Sequence, residues 1–131
     1  MNEWEFDNTF TDSEGMVCTV KLSLSTVRKF AKEVKLPLDG FVPGQLSYDE
    51  MLLLCYRGTQ HHSEFKKVTL DEFCDERLDG EAFPAAMEAT SNAMVNFTLG
   101  QMKMAQRLKL AQQMRENLQE ASSESEESGE K

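Results

Sequence analysis

Two adjacent histidines, His61 and His62, are the side chains in this sequence best suited to bind a metal ion or to transfer protons. Cys55 and Cys74 are the nearest cysteines, but the sequence has no Cys-x-x-Cys or His-x3-His pair of the kind that binds zinc. Because neighbouring residues on a helix or strand point in different directions, we expect the two imidazoles to diverge. The sequence therefore predicts no metal site. A small enzyme built around His61, His62 and Cys74 stays as an alternative, which a screen for bound metal would test.

Other patterns that carry chemistry are missing or incomplete. No glycine-rich loop of the P-loop or dinucleotide-binding type occurs. The acidic run within residues 71–79 lacks the alternating oxygen ligands of a calcium loop and is typical of a solvated helix face. The three cysteines, Cys18, Cys55 and Cys74, are an odd number at wide spacings, which favours reduced, buried thiols. We expect no enzymatic activity and no cofactor.

The negative charge is concentrated at the two ends of the chain. The 131 residues carry a net charge of −9. Residues 1–15 hold five acids and no base, and residues 116–131 hold six acids and one base, so each end contributes −5 and the interior is near +1. With no stripe of basic and aromatic residues, we expect no nucleic-acid partner. No apolar run reaches the roughly 18–20 residues of a membrane span, and residues 1–5 lack the order of a secretory signal, so we expect a cytosolic protein.

The N-terminal segment alternates apolar and polar residues, which predicts a β-hairpin with one buried face. Trp4 and Phe6 are the apolar positions of its first strand, and residues 11–15 form the turn. The second strand carries its buried side chains on even-numbered positions, namely Met16, Cys18, Val20, Leu22 and Leu24.

From Ser25 the apolar spacing changes to three and four residues, which predicts a short amphipathic helix. Ser25 or Thr26 is the expected N-cap, and Pro37 and Gly40 follow the end of the helix. Its apolar face consists of Val27, Phe30, Ala31 and Val34. Its opposite face is basic and is either an anion-binding patch or a solvated face; it holds Arg28, Lys29, Lys32 and Lys35.

Two capping boxes predict two further helices. Ser47 and Glu50 begin the first, which ends near Gly58, and Thr69 and Glu72 begin the second, which ends at residues 79–80.

The last element is the longest. Apolar residues recur every three or four positions from Phe83 to Leu118, which predicts a continuous helix over residues 83–121. Such a helix would be about 58 Å long, whereas a globule of this size is roughly 35–40 Å across. We therefore expect that it bends or breaks near Gly100, or that its second half presents its apolar side chains to another chain.

Methionine is concentrated in this last helix. Met87 and Met94 are expected in the core. The part of the helix after Gly100 extends beyond the core, so we expect its apolar side chains to remain uncovered by this chain. Flexible methionine side chains also form adaptable surfaces for apolar partners. The predicted partner-binding residues are Met102, Met104, Leu108 and Met114.

Together these elements predict an α+β protein, in which an N-terminal β-hairpin packs on a mainly helical body with a long C-terminal helix. Residues 1–115 are expected to form a single domain. Residues 116–131 form an acidic tail, expected to be disordered because it has almost no apolar residue to bury.

In this order, the elements resemble a family. A β-segment ending near Leu24 precedes the helix with Val27-Arg28-Lys29-Phe30; the Ser-capped helix at residues 47–53, the segment 68–73 and a long helix with a polar tail follow. This pattern, over roughly residues 20–115, is similar to the short tail assembly chaperones of long-tailed bacteriophages.

The resemblance implies a non-enzymatic protein of the host cytoplasm that is absent from the mature virion. Such chaperones bind the tape measure protein, keep it soluble and help tail-tube protein to polymerise around it. In this family ribosomes often shift frame near the end of the short gene and append a second domain. Self-association is left open.

One alternative comes from another class of protein. A small acidic protein could imitate DNA and inhibit a nuclease or repressor, but that function would require acids spread over a rigid face, and here they lie at the ends.

Overall fold

The computed structural model describes residues 4–37, 41–42, 44–102 and 104–129, with side chains as far as residue 119. Residues Phe6–Phe97 form one compact unit, called the body. Residues 4–5 and the described residues from Thr98 onward form a second one, called the C-terminal unit. The predicted domain boundary at residue 115 stays a prediction.

The fold is α+β, as predicted. The described residues form two strands, β1 (Thr9–Thr11) and β2 (Val17–Thr19), and five α-helices. The helices are α1 (Leu24–Glu33), α2 (Tyr48–Thr59), the single turn α3 (Leu70–Glu72), α4 (Ala82–Gly100) and α5 (Met104–Gly129). A 3-10 turn at Ser63–Phe65 follows α2, and a π-helical turn at Phe73–Arg77 continues α3.

The hairpin is shorter than predicted, and its first strand lies later in the chain. β1 and β2 are antiparallel, with Phe10 opposite Cys18. Trp4 and Phe6 are not strand residues. Phe6 does not pair with another strand, because its backbone binds the Asn96 side chain of α4 instead. Oδ1 of Asn96 accepts from the Phe6 N–H at 2.7 Å, and Nδ2 donates to the Phe6 carbonyl at 2.8 Å.

The predicted buried face is confirmed at Cys18 of β2 and at Val20, but the prediction was wrong at Leu24, which is 52% exposed because it begins α1. Cys18 and Val20 are fully buried, whereas Val17 is 63% exposed. Cys18 and Val20 belong to a core cluster in the body. This cluster also contains buried residues of α2, the π-helical turn and α4, among them Cys55, Tyr56, Phe73, Ala86 and Ala89. A second cluster joins α1, α2 and α4 through Val27, Phe30, Phe41, Leu54 and Met94.

Helix caps explain where three helices begin. Ser47 and Glu50 form the predicted capping box of α2, and Thr69 accepts from the Glu72 N–H at α3. The predicted N-cap of α1 was wrong. Ser23 caps it, since its side chain accepts from the Thr26 N–H at 3.2 Å, and Ser25 and Thr26 lie in the first turn. Gly40, expected beyond this helix, lies outside the described residues.

The predicted long helix breaks close to Gly100. α4 ends there, and α5 begins at Met104. The α5 backbone is helical as far as Gly129, and thus through most of the acidic segment 116–131; disorder of that segment stays a prediction. Lys131 lies outside the described residues.

Candidate partner-binding surface

One face of α5 carries exposed apolar side chains. Met104 is 61% exposed, Leu108 42% and Leu118 62%. Their spacings of four and ten residues place them on one side of the helix, and Ala111, which is buried, lies between them. We call these four residues the α5 stripe. Large apolar side chains that share one face and remain in water are typical of a surface that binds a partner.

Two of the four predicted partner-binding residues lie in this stripe, Met104 and Leu108. Met102 precedes α5 in the connection to α4, and its side chain is half-buried. Met114 is also half-buried and lies at the flank of the stripe, about 80° around the helix from Met104. Leu118 belongs to the stripe although it was not among the predicted binding residues. Its place in the same apolar spacing is the sequence signal that identifies it.

The N-terminal residues of the C-terminal unit lie beside the middle of the stripe. Trp4 lines a cavity of about 450 Å³ together with residues on one side of α5, namely Leu108, Ala111, Gln112, Arg115, Glu116 and Gln119. Nη2 of Arg115 donates to the Glu5 carbonyl at 2.9 Å. The apolar face of α5 thus continues into a concave site with an aromatic wall, which the predicted hairpin position of Trp4 did not anticipate.

Arg107 binds backbone carbonyls at the break between α4 and α5. Its Nε donates to the Leu99 carbonyl at 2.8 Å, and Nη2 donates to the Gly100 and Met102 carbonyls at 3.1 and 2.9 Å. These are carbonyls that a helix end leaves without helical partners. The same guanidinium lies 4.6 Å from the centre of the Trp4 ring, within the range of a cation–π interaction. Arg107 therefore connects the end of α4, the start of α5 and Trp4.

The prediction that His61 and His62 diverge was wrong. Their ring centres are 4.1 Å apart, and both contact the backbone of Thr19. Nε2 of His62 accepts from the Thr19 N–H at 3.0 Å, and Nε2 of His61 lies 2.9 Å from the Thr19 carbonyl, to which it must donate. Both residues lie in the turn after α2, which is neither helix nor strand. Neighbouring side chains diverge in a regular helix or strand, but in this turn the two rings lie side by side. The pair fixes the end of β2.

The cysteines are reduced, and two of the three are buried as predicted, whereas Cys74 is half-buried. Burial, followed by the nearby Asp12 carboxylate, raises the pKa of Cys18 to about 12. Burial raises the pKa of Cys55 to about 12 and also raises the pKa of Cys74. Their thiolates, the forms that attack substrates and bind metals, are therefore disfavoured.

A buried ion pair was missed by the sequence analysis. Asp12, which belongs to the predicted turn, has a fully buried side chain, and its Oδ2 lies 3.0 Å from Nη1 of Arg77. Its Oδ1 accepts from the Glu14 and Met16 N–H groups, and the Arg77 guanidinium lies 5.1 Å from the centre of the Phe65 ring. The turn sequence predicts only the local bonds, because Arg77 is 65 residues away. The pair fixes the hairpin turn to the π-helical turn and has a structural role.

Comparison with known proteins adds no family to these observations. No protein-family model, curated protein or solved structure matches this chain. In the described ranges, no helix has both the length and the apolar character needed to cross a membrane.

Proposed function

We propose that this protein is a tail assembly chaperone of a long-tailed bacteriophage, which binds apolar helical segments of the tape measure protein along the α5 stripe. The observation that carries the proposal is the exposure of Met104, Leu108 and Leu118 on one face of a helix. An amphipathic partner helix would cover these residues through side chains spaced three and four apart.

The chemistry of the surface supports transient capture. Methionine is unbranched and adapts to partner side chains of different shape, and a chaperone must bind many segments of a long protein. The acidic end of the chain supports the solubility of a complex that contains an apolar partner. In this proposal the protein acts in the host cytoplasm, delivers the tape measure protein to tail-tube protein and is absent from the mature virion.

Co-expression with the tape measure protein tests the proposal. Wild-type protein should keep the partner in the soluble fraction and co-purify with it. In the triple variant Met104→Gln, Leu108→Gln and Leu118→Gln, helix propensity is retained and apolar area is lost. Since each apolar side chain buried in a complex contributes about 1.5–3 kcal/mol, affinity should fall by at least about a hundredfold.

The matched control changes three exposed residues on the opposite side of α5, Gln106→Ala, Gln113→Ala and Asn117→Ala, and should bind like wild type. Thermal melting followed by circular dichroism checks that both variants fold. Undiminished binding by the folded stripe variant would show that capture lies elsewhere, and failure of wild type to bind would refute the proposal. Size-exclusion of the free protein shows whether the stripe instead joins two copies of this chain.

A further inference from the structure

A second site lies in the body, apart from the residues of the proposed function. A cavity of about 420 Å³ opens where the segment after β2, the first turns of α1 and the end of α2 come together. We call it the cationic cavity; its lining includes Lys21, Ser23, Thr26, Lys29, Arg57 and His61. Its volume is within the range of small-molecule sites.

The charge of this cavity is opposite to that of the chain. Lys21, Lys29 and Arg57 converge on it, and no carboxylate lines it in the described part of the protein. The nearest acidic partner, Glu33, is paired with Arg57, so the two lysines leave a net positive charge in a protein whose total is −9. The uncompensated charge of the cavity is therefore that of Lys21 and Lys29, and it would attract an anion.

Four polar side chains of the cavity, those of Ser23, Thr26, Arg57 and His61, are held by hydrogen bonds. Nε and Nη2 of Arg57 each donate to a Glu33 carboxylate oxygen at 2.9 Å, and Nη1 donates to Oε1 of Gln60 at 3.1 Å. The hydrogen bond to Glu33 raises the pKa of Arg57, so its charge is retained. The hydroxyls of Ser23 and Thr26 lie 3.0 Å apart, and the bond to Thr19 fixes the His61 ring. Little ordering is therefore left for a ligand to impose on this side of the cavity.

The backbone around the cavity also depends on a close approach. The Lys21 N–H donates to the Gly58 carbonyl at 2.9 Å, and a Cβ at position 58 would lie 2.7 Å from Cγ1 of Val20. Glycine thus lets the end of α2 approach the segment after β2, which places Lys21 and Arg57 on the same cavity. The predicted basic face of α1 contributes only Lys29 to this cavity.

We propose that the cationic cavity binds the phosphate group of a small phosphorylated molecule. Lysine and arginine supply charge-assisted hydrogen bonds, and because the Ser23 and Thr26 hydroxyls form one hydrogen bond with each other, the pair has one further proton to donate to a phosphate oxygen. A phosphate has more acceptor oxygens than a carboxylate, and so it matches this number of donors better. The cavity is also large enough to admit the organic part of such a molecule.

The test is a titration of isotopically labelled full-length protein with inorganic phosphate, followed by amide NMR shifts at constant ionic strength near neutral pH. Wild type should show saturable shifts at Lys21, Thr26 and His61, with chloride at the same ionic strength producing none. Glycerol 3-phosphate in a second titration should shift the same amides with higher affinity. Equal affinity of the two compounds would overturn the assignment to a phosphorylated molecule and leave a site for the free ion.

Two variants separate a built site from general attraction to positive charge. Lys21→Gln with Lys29→Gln changes two exposed side chains, so the fold should survive, and phosphate affinity should fall at least about tenfold. Lys66→Gln with Lys67→Gln removes the same charge from two exposed residues outside the cavity and should leave the affinity unchanged.

Thr26→Val removes one of the two paired hydroxyls without changing the charge and should weaken phosphate binding by a few fold. The variant should fold, because the backbone N–H at position 26 still donates to the Ser23 cap. Absence of saturable shifts in wild type, or equal losses in the two lysine variants, would overturn the proposal. Neither result depends on whether the α5 stripe binds a partner.

Discussion

Helices α4 and α5 carry the same spacing of apolar residues but differ in what covers them. In α4, Met94 is fully buried and Met87 is 8% exposed, whereas in α5 Met104 is 61% exposed and Leu108 42%. The spacing therefore predicts which side chains share a face, and it does not predict whether this chain covers that face. Cover depends on complementary apolar residues elsewhere in the same unit.

The composition of the two helices explains the difference. α4 places small residues between its large ones, so neighbouring elements of the body can approach its backbone; Ala82, Ala86, Ala89 and Ala93 are all buried. α5 carries fewer alanines, and long polar side chains such as Gln106 and Lys109 occupy the sides away from its stripe and are exposed. Small residues between the large ones let α4 pack into the core of the body, whereas in the α5 stripe only Ala111 is buried and its three larger side chains remain exposed.

The largest expected difference in the free energy of unfolding is between two alanine substitutions, one at a buried residue of α4 and one at an exposed residue of α5. Met94→Ala should lower the free energy of unfolding by about 2–5 kcal/mol, because it leaves a cavity in the second core cluster. Leu108→Ala, at an exposed position of the stripe, should change it by no more than about 0.5 kcal/mol. Urea unfolding of both variants measures the two values. Similar losses would show that α5 is covered in solution, by a second copy or by the rest of the chain.

A second contrast uses glycine. Gly58→Ala places a Cβ 2.7 Å from Cγ1 of Val20 and should destabilise the body by about 1–3 kcal/mol. Gly100→Ala meets only Cη2 of Trp4, at an ordinary contact distance of 3.9 Å, and should stabilise the end of α4 by up to about 1 kcal/mol.

Thermal melting compares the two glycine variants, and the double variant Gly58→Ala with Val20→Ala supplies the control. If the close contact causes the loss, shortening Val20 should recover part of it beyond the sum of the two single effects. Additive losses would instead point to another cause at Gly58.

Local signals predicted much of the fold. The capping box at Ser47, the N-cap at Thr69, the buried Cys18 of β2 and the break near Gly100 follow from residues close together in the sequence. What the sequence could not predict depends on distant partners. Asn96 satisfies the backbone of Phe6, and Arg77 pairs with Asp12. At the candidate surface, the spacing identified the stripe, but only the structure showed Trp4 beside it.

The connection between α4 and α5 provides a smaller test of the same contrast. Arg107→Leu removes three hydrogen bonds to the carbonyls at the helix break and the contact with Trp4. We expect a loss of about 1–2 kcal/mol, confined to the C-terminal unit. Trp4 is the one tryptophan of the chain, so its fluorescence reports this unit directly.

The control for Arg107 is Arg28→Leu, which changes an exposed arginine of α1. The Arg107 variant should shift the Trp4 emission and speed amide exchange near residues 99–102, and the control should do neither. An unchanged spectrum of the Arg107 variant would contradict the assigned role.

The smallest expected effect is a change in the stability of the body near pH 6.5. The C-terminal unit should not show it, since both histidines belong to the body. Burial, and then the neighbouring His61, lower the pKa of His62 from its ordinary value of 6.5. As the pH falls through 6.5, the unfolded chain takes up a proton at this position before the folded chain does, so the unfolded state is favoured. The contribution of His62 is therefore complete above pH 6.5 and is lost between 6.5 and its lower folded pKa.

A change at His62 should remove this part of the pH dependence. Protonated Nε2 can no longer accept from the Thr19 N–H, whereas the side chain of His62→Gln can accept a hydrogen bond at every pH. The protection of the Thr19 amide, taken relative to the intrinsic exchange rate at each pH, should fall on acidification in wild type and much less in the variant, while residues 106–117 of α5 respond alike in both proteins. If the Thr19 amide of the variant opened with the same pH dependence as wild type, carboxylates rather than His62 would control the end of β2.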